Sequence, residues 1–266
     1  VGVIATCRPV REGGAFDGSE RERLDILAAA AAAGARYVDL EWDVPKAPRL
    51  GNAGCRLIRS RHFASMPGTL MPWYQELRLH GDVVKLAAPA RDLLDIAPVV
   101  QCLAAATSPI IAIAMGEVGR LTRVLALSYE HTFCTYAALE PGRETAPGQW
   151  TVEEMVSQFA VHRLGPQSRV HVQVSASRAR VDAWERLGSS RGRRQVHVGV
   201  VAQRHEAACT AAFLSALDPR WTVHTDPELL GAPLPPPAHV MRRQDPPRAP
   251  GGEGASVPGP SEGASP

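Results

Sequence analysis

Strand-like runs recur along this chain at intervals of about 20 to 25 residues, most followed by a helix-like stretch, and that rhythm belongs to a parallel α/β fold. The runs fall at residues 1–7, 37–42, 56–62, 83–88, 109–115 and 131–139. After the first, Ser19 and Glu22 form a capping box ahead of Leu24, Leu27, Ala28 and Ala31, which share one helical face, and Gly34 closes the helix. Helices are also predicted over 69–80, over 91–106 with a kink or fresh start at Pro98, over 116–128, and over 151–164 behind a Thr151/Glu154 capping box. Two architectures fit: a doubly wound sheet and a (β/α)8 barrel. No Gly-x-Gly-x-x-Gly fingerprint follows the first run, and the residues suited to chemistry fall at or near strand ends, so the barrel is preferred. Six strands are two fewer than a barrel needs.

The fourth run places an amine in an otherwise apolar strand, Val83-Val84-Lys85-Leu86-Ala87-Ala88. Only two of the 29 basic residues are lysines, so the chain uses Arg wherever plain positive charge suffices. A Lys kept at such a position points to chemistry closed to a guanidinium, above all imine formation with a carbonyl, and burial favours the nucleophilic free amine. The bland alternative is a strand-end Lys whose head reaches solvent. An imine acidifies the adjacent C–H, so a base is needed nearby. His62, at the end of the third run, has a suitable side chain, and Glu12, in the loop after the first, is a candidate to fix its tautomer. Taken singly, His62 reads as a structural hydrogen-bonding group and Glu12 as a solvated loop acid. In the second run, alternation sends Asp39 and Glu41 to one side. Arg123, inside the first turns after the fifth run, suits a carboxylate clamp, though Arg120 and Arg123 also read as surface charges. The loop Thr145-Ala146-Pro147-Gly148-Gln149 offers a rigid turn with two polar side chains, either a closing loop or a connector.

Net charge is +2 with acids and bases interspersed, which argues against nucleic acid or a membrane surface as the main partner. No apolar run approaches the roughly 18 residues of a membrane span, so a soluble protein is expected. Five widely spaced cysteines without a Cys-x-x-Cys pair favour reduced thiols over a disulfide framework or a zinc site. The first residue is Val, and the natural N-terminus is expected to lie upstream. Past residue 165 the pattern changes. Residues 168–194 are rich in Arg and Ser with weak periodicity, 196–224 suit a small strand-helix-strand unit, and ten prolines after residue 230 mark a disordered tail. Three segments are therefore expected: 1–165, 166–230 and 231–266.

The stretch Thr6-Cys7-Arg8-Pro9-Val10-Arg11-Glu12-Gly13-Gly14 resembles the signature of type I 3-dehydroquinate dehydratases. Tyr37-Val38-Asp39-Leu40-Glu41, Ser60-Arg61-His62, the Lys85 strand, Met115-Gly116-Glu117 through Thr122-Arg123, and Ala146-Pro147-Gly148-Gln149 follow in the family's order over residues 2–164. The resemblance implies an (β/α)8 barrel, entered at its third strand and so N-terminally incomplete, with an irregular C-terminal extension. It implies dehydration of 3-dehydroquinate to 3-dehydroshikimate in the shikimate pathway, without metal or cofactor. Lys85 would be the Schiff-base residue, His62 the general base and acid, and Glu12 its orienting acid. Arg123 and Gln149 would hold the substrate carboxylate, while Arg8 and Thr145 would contact hydroxyls or the closed loop. Two departures stand out: Phe63 follows His62 directly where the family has Asp-Phe, and Thr145 replaces a common Ser. Phe159 to Gly165 also resembles the junction of plant proteins that fuse this dehydratase to a shikimate dehydrogenase, though no Ser-rich substrate motif or Gly-rich nucleotide loop follows. A homodimer or such a fusion, in the cytoplasm or a plastid stroma, are the corresponding expectations. The competing readings are another imine-forming barrel such as a class I aldolase, and a non-catalytic truncated remnant.

Overall fold

The computed structural model describes residues 2–45, 54–190 and 195–226, all within one compact unit. Five parallel strands lie side by side in chain order: β1 (Ile4–Thr6), β2 (Tyr37–Glu41), β3 (Arg56–His62), β4 (Val83–Pro89) and β5 (Ile110–Met115). Helix α1 (Glu20–Ala32) precedes β2, α2 (Met71–Leu77) precedes β4, α3 (Ala97–Ala105) precedes β5, and α4 (Thr122–Leu125) and α5 (Val152–Phe159) follow. The local signals hold. Ser19 and Glu22 complete both bonds of their capping box, as do Thr151 and Glu154. Pro98 sits in the first turn of α3, where its missing N–H leaves no bond unmade, so it starts a helix instead of kinking one.

Register decides which side chains share a face. Asp39 lies opposite Ile58, Glu41 opposite Ser60, Ser60 opposite Lys85, and Lys85 opposite Ile111. Alternation therefore gathers Asp39, Glu41, Ser60, His62 and Lys85 on the face that also carries the apolar cluster of Ile58, Val83, Ile111 and Ile113. On the opposite face, Val84, Leu86 and Ala112 join a core with Tyr74 and Leu77 of α2 and Val99 and Leu103 of α3. The sheet is strongly curled. On a flat sheet the segment beyond β5 would lie about 19 Å from β2 at normal strand spacing, yet the rings of Tyr37 and Phe133 meet edge to face with centroids 4.9 Å apart. The polar face is thus the concave one.

The run at 131–139 does not become a sixth strand. It makes one bridge to β5, through Ile110 N–H to the His131 carbonyl (2.9 Å) and Phe133 N–H to the Ile110 carbonyl (2.8 Å), and then leaves the ladder. Phe133, Cys134 and Tyr136 pack against the apolar cluster of the concave face instead. Burying two aromatic rings there outweighs the ladder bonds available along one edge of β5. The arc stays open, with five of the six expected strands.

Residues 168–190 are more regular than their composition suggests. They form β6 (Arg169–Ser175) and α6 (Arg178–Ser190), followed by the expected strand-helix-strand unit β7 (Gln195–Val201), α7 (Ala207–Leu217) and β8 (Trp221–Thr225). The three strands make a second parallel sheet in the order β7-β6-β8. Val170, Val172 and Val174 of β6 and Val196 and Val198 of β7 belong to the same apolar core as β4 and β5, so one core serves both sheets. The expected tail lies outside the described residues. Among those residues, no helix is long and apolar enough to cross a membrane.

If Phe133 closes the arc by packing on Tyr37, Phe133→Ala should lower the free energy of unfolding by about 2 kcal/mol. Urea denaturation checks this, and an unchanged midpoint would show that the ring contact carries no load.

Candidate active site

Glu12 owes its position to a tight turn at the end of β1. Residues 10–12 form one 3-10 turn, Gly13 takes the left-handed conformation (φ 77°), and the chain folds back so closely that a Cβ on Gly14 would sit 2.0 Å from the Arg8 carbonyl oxygen. Only glycine fits there. The turn aims the Glu12 carboxylate at the end of β3, where one oxygen accepts from the His62 backbone N–H (3.1 Å) and lies 3.2 Å from His62 Nδ1. This pair fixes the imidazole orientation and leaves Nε2 as the nitrogen free to exchange a proton.

Arg8 forms the centre of the concave face. Its Nη1 donates to Glu41 (2.7 Å) and Ser60 (2.9 Å) and lies 3.4 Å from Glu12, while Nη2 donates to Asp39 (2.8 Å). One guanidinium thus touches three carboxylates from two segments, the turn after β1 and strand β2. Glu41 is also paired with Arg23 of α1, a wholly buried Arg held as well by Glu20. Lys85 Nζ donates to the same Asp39 oxygen at 2.8 Å and stands 4.8 Å from the centre of the Tyr136 ring.

Burial sets much of the electrostatics here. By itself it favours the protonated acid at Asp39, but Lys85 and Arg8 outweigh it and hold that carboxyl at about 2. At Glu41 burial wins over Arg8 and Arg23, and the pKa rises. His62 is pushed down, by burial first and then by Arg8 and Lys85, against the opposing bond to Glu12. Its imidazole is therefore neutral near pH 7, the form a general base requires.

The expected site residues divide into two groups. Lys85, His62, Glu12 and Arg8 come together on or beside one face. Arg123, Thr145 and Gln149 make no hydrogen bond or ion pair with them. Arg123 is 1% exposed, and burial pulls its pKa down to about 10. Its Nε donates to the Gly148 carbonyl (3.1 Å) and Nη2 to that of Pro147 (3.3 Å), so it anchors the loop instead of presenting an open clamp. Thr145 N–H donates to Gln149 Oε1 at 2.9 Å, and the two side chains hydrogen-bond each other. Gly148, at φ 74°, lets this loop pass so close to β5 that a Cβ would come within 2.3 Å of the Gly116 carbonyl oxygen. Residues with no role assigned from the sequence complete the face: Asp39, Glu41, Ser60 and Tyr136. Two acids on one side of an otherwise apolar strand were the available signal for the first pair. Among the described residues, no group of three or more His, Cys, Asp or Glu is placed to hold a metal ion.

A curled parallel sheet with a buried amine, an imidazole and an orienting carboxylate at the strand ends of its concave face defines a barrel-type site suited to imine and proton-transfer chemistry. The chain belongs to the type I 3-dehydroquinase family, whose model matches residues 1–165. It is 30% identical over 178 residues to the chloroplastic bifunctional 3-dehydroquinate dehydratase/shikimate dehydrogenase of Arabidopsis thaliana, covering 64% of this chain and 29% of that protein. To a 3-dehydroquinate dehydratase of Dehalococcoides mccartyi it is 34% identical over 161 residues, covering 58% of this chain and 72% of the relative. Among solved structures, the 3-dehydroquinate dehydratase of Geobacillus kaustophilus shares the fold with a TM-score of 0.52 at 23% identity, over 57% of this chain and 64% of that one. The dehydroquinate dehydratase and shikimate dehydrogenase of S. pombe does so with a TM-score of 0.50 at 20% identity, over 85% of this chain and 44% of that one. The chain therefore spans less than a third of its plant relative and under two thirds of the Geobacillus structure.

Two outcomes follow from the charge cluster. Arg8→Met leaves buried carboxylates without their shared partner and should destabilise the protein by about 3 to 5 kcal/mol in urea denaturation. A loss below about 1 kcal/mol would mean that the cluster is not held by Arg8. Because the Asp39 pKa is depressed, its stabilisation is complete above the unfolded value of about 3.9 and is lost as pH falls through about 2. Unfolding free energy should drop by about 2 kcal/mol over that interval, and the Asp39→Asn protein should lack that part of the slope.

Proposed function

We propose that the chain dehydrates 3-dehydroquinate to 3-dehydroshikimate through an imine on Lys85. The observation that carries this reading is the placement of Lys85 on Asp39, on the same concave face as the His62/Glu12 pair, in a chain of the type I 3-dehydroquinase family. Lys85 Nζ adds to the ketone carbon, and the carbonyl oxygen leaves as water, giving a protonated imine. Ionised Asp39, which accepts a hydrogen bond from Lys85 Nζ, would then face the iminium charge. Neutral His62 then takes the proton from the adjacent carbon; the C–H electron pair forms a C=C bond and the C=N pair moves onto nitrogen, giving an enamine. The enamine expels the hydroxyl, which departs as water with the proton from His62. Hydrolysis of the remaining imine returns the free amine, so one water is lost overall. Glu12 is a positioning residue for His62.

Arg123, Gln149 and Thr145 enter this reading through the loop they hold. Arg123 fixes residues 147–148, and release of its guanidinium from those carbonyls would be needed before it could grip a carboxylate. For the remainder of the chain, we infer that residues 1–165 are the dehydratase portion and that 166–230 correspond to the beginning of a fused dehydrogenase portion. The match to the S. pombe protein supports this, since it covers more of the chain than the dehydratase family does.

Borohydride reduction in the presence of 3-dehydroquinate, followed by mass spectrometry, tests the proposal. An adduct on Lys85 that is absent from Lys85→Ala is expected. Adducts only with aldol substrates would favour a class I aldolase, and folded protein with none would favour a remnant without activity. His62→Ala should still trap an adduct but lose about 10²- to 10⁴-fold in turnover. Because the imidazole pKa lies below its ordinary value, kcat/KM should stay level through neutrality and fall only under about pH 6.5. A profile that falls on the alkaline side of neutrality instead would remove His62 as the base.

A further inference from the structure

Beside His62 on β3, Arg61 is gripped by three aromatic rings. Its guanidinium carbon lies 3.3 Å from the centre of the Trp73 ring, 4.2 Å from Trp42 and 4.8 Å from Phe63. The rings brace one another, Trp42 on Trp73 at 5.3 Å and Phe63 on Trp73 at 5.9 Å. Stacking engages the faces of the planar guanidinium and leaves its in-plane N–H groups to bind something else. It also fixes the long side chain in advance, so little rotamer freedom remains to be lost when a ligand arrives.

These residues line an open cavity of about 530 Å³ whose other polar walls include Arg11, Glu12, Asp43 and the neutral His62. Most of that charge is already matched. Asp43 takes two bonds from Arg11, at 2.8 and 3.1 Å, and Glu12 is engaged by His62 and Arg8. Arg61 makes no ion pair among the described residues, and its Nη1 is buried without a hydrogen-bond partner. A cation that makes no ion pair of its own, felt by Glu12, Glu76 and Asp43 only at a distance and held rigid against apolar rings in a cavity that opens to solvent, is a built site for an anion.

We propose that this cavity is a carboxylate-binding site in which Arg61 captures the anionic end of the substrate beside His62. The inference rests on the dehydratase reading for the identity of that substrate. Lys85 does not line the cavity, so the site is an entry position ahead of the reacting one. It also supplies a carboxylate contact where Arg123, occupied by two carbonyls, supplies none.

Trp42 and Trp73 provide the readout, because displacement of a stacked guanidinium alters indole emission. Titration of the Lys85→Ala protein with 3-dehydroquinate removes turnover from the measurement. A saturable emission change is expected, with a dissociation constant that rises about tenfold in Arg61→Gln and rises in the parent as salt is added. In the enzyme with Lys85 intact, Arg61→Gln should lower kcat/KM by a similar factor and leave kcat unchanged. Arg61→Lys keeps the charge but not the planar fork, and should bind with intermediate affinity. Equal binding by Arg61→Gln, or binding indifferent to salt, overturns the proposal, as does displacement by inorganic phosphate at lower concentrations than the carboxylate. Arg61-dependent binding to Lys85→Ala, together with no imine trapped on Lys85 in the parent protein, would uphold this site while refuting the dehydratase reading.

Discussion

The Arg8 guanidinium is the point on which the concave face depends. Its two terminal nitrogens reach Asp39, Glu41, Glu12 and Ser60, all buried and contributed by strands β2 and β3 and the turn after β1. Three carboxylates placed this close inside an apolar shell repel one another and lose their hydration, and either effect alone costs several kcal/mol per charge. A planar cation that meets several carboxylates at once removes both penalties, and a Lys in its place would meet fewer. Arg23 carries the arrangement outward to α1, so the helix, the first strands and the site are secured by the same charges.

That constraint reaches directly into the chemistry. With Arg8 beside it, Asp39 stays ionised although buried, and so offers Lys85 a fixed negative partner. The same positive charges help to keep His62 neutral, while the Glu12 turn fixes its orientation. Around this polar layer, the curl of the sheet brings Tyr37 against Phe133 and draws Tyr136 over Lys85. The aromatic residues fill the concavity where a sixth strand was expected, and the amine lies beneath them at 8% exposure.

Much of this was legible in the sequence because it rests on local rules. The strands follow from apolar or alternating runs of strand length, α1 and α5 from capping boxes, and the Glu12 turn from two adjacent glycines. The amine and imidazole stood out through residue type: one of two lysines in a buried run, and a His at a strand end. What could not be read depends on partners remote in sequence. Residues 131–139 have a strand's composition, yet the choice between ladder and interior was decided by Tyr37, nearly a hundred positions earlier. Arg123 has a clamp's chemistry, but its carbonyl partners lie in a loop more than twenty residues on. In residues 168–194 the alternation of Val170, Val172 and Val174 was present but diluted by His and Gln on the opposite face, and the Arg-rich helix behind it hid the boundary. The role of Arg8 as a hub needed the strand register, which no motif supplies.

Because the chain has only two lysines, ¹⁵N-lysine labelling gives a spectrum in which the reacting amine can be followed by itself. Lys85→Ala assigns its signal against that of Lys46. On addition of 3-dehydroquinate the Lys85 nitrogen should leave the amine region for that of a protonated imine, while Lys46 stays where it was. Should both nitrogens keep their amine shifts while the substrate is consumed, the buried amine takes no covalent part, and the chemistry proposed for this face is wrong.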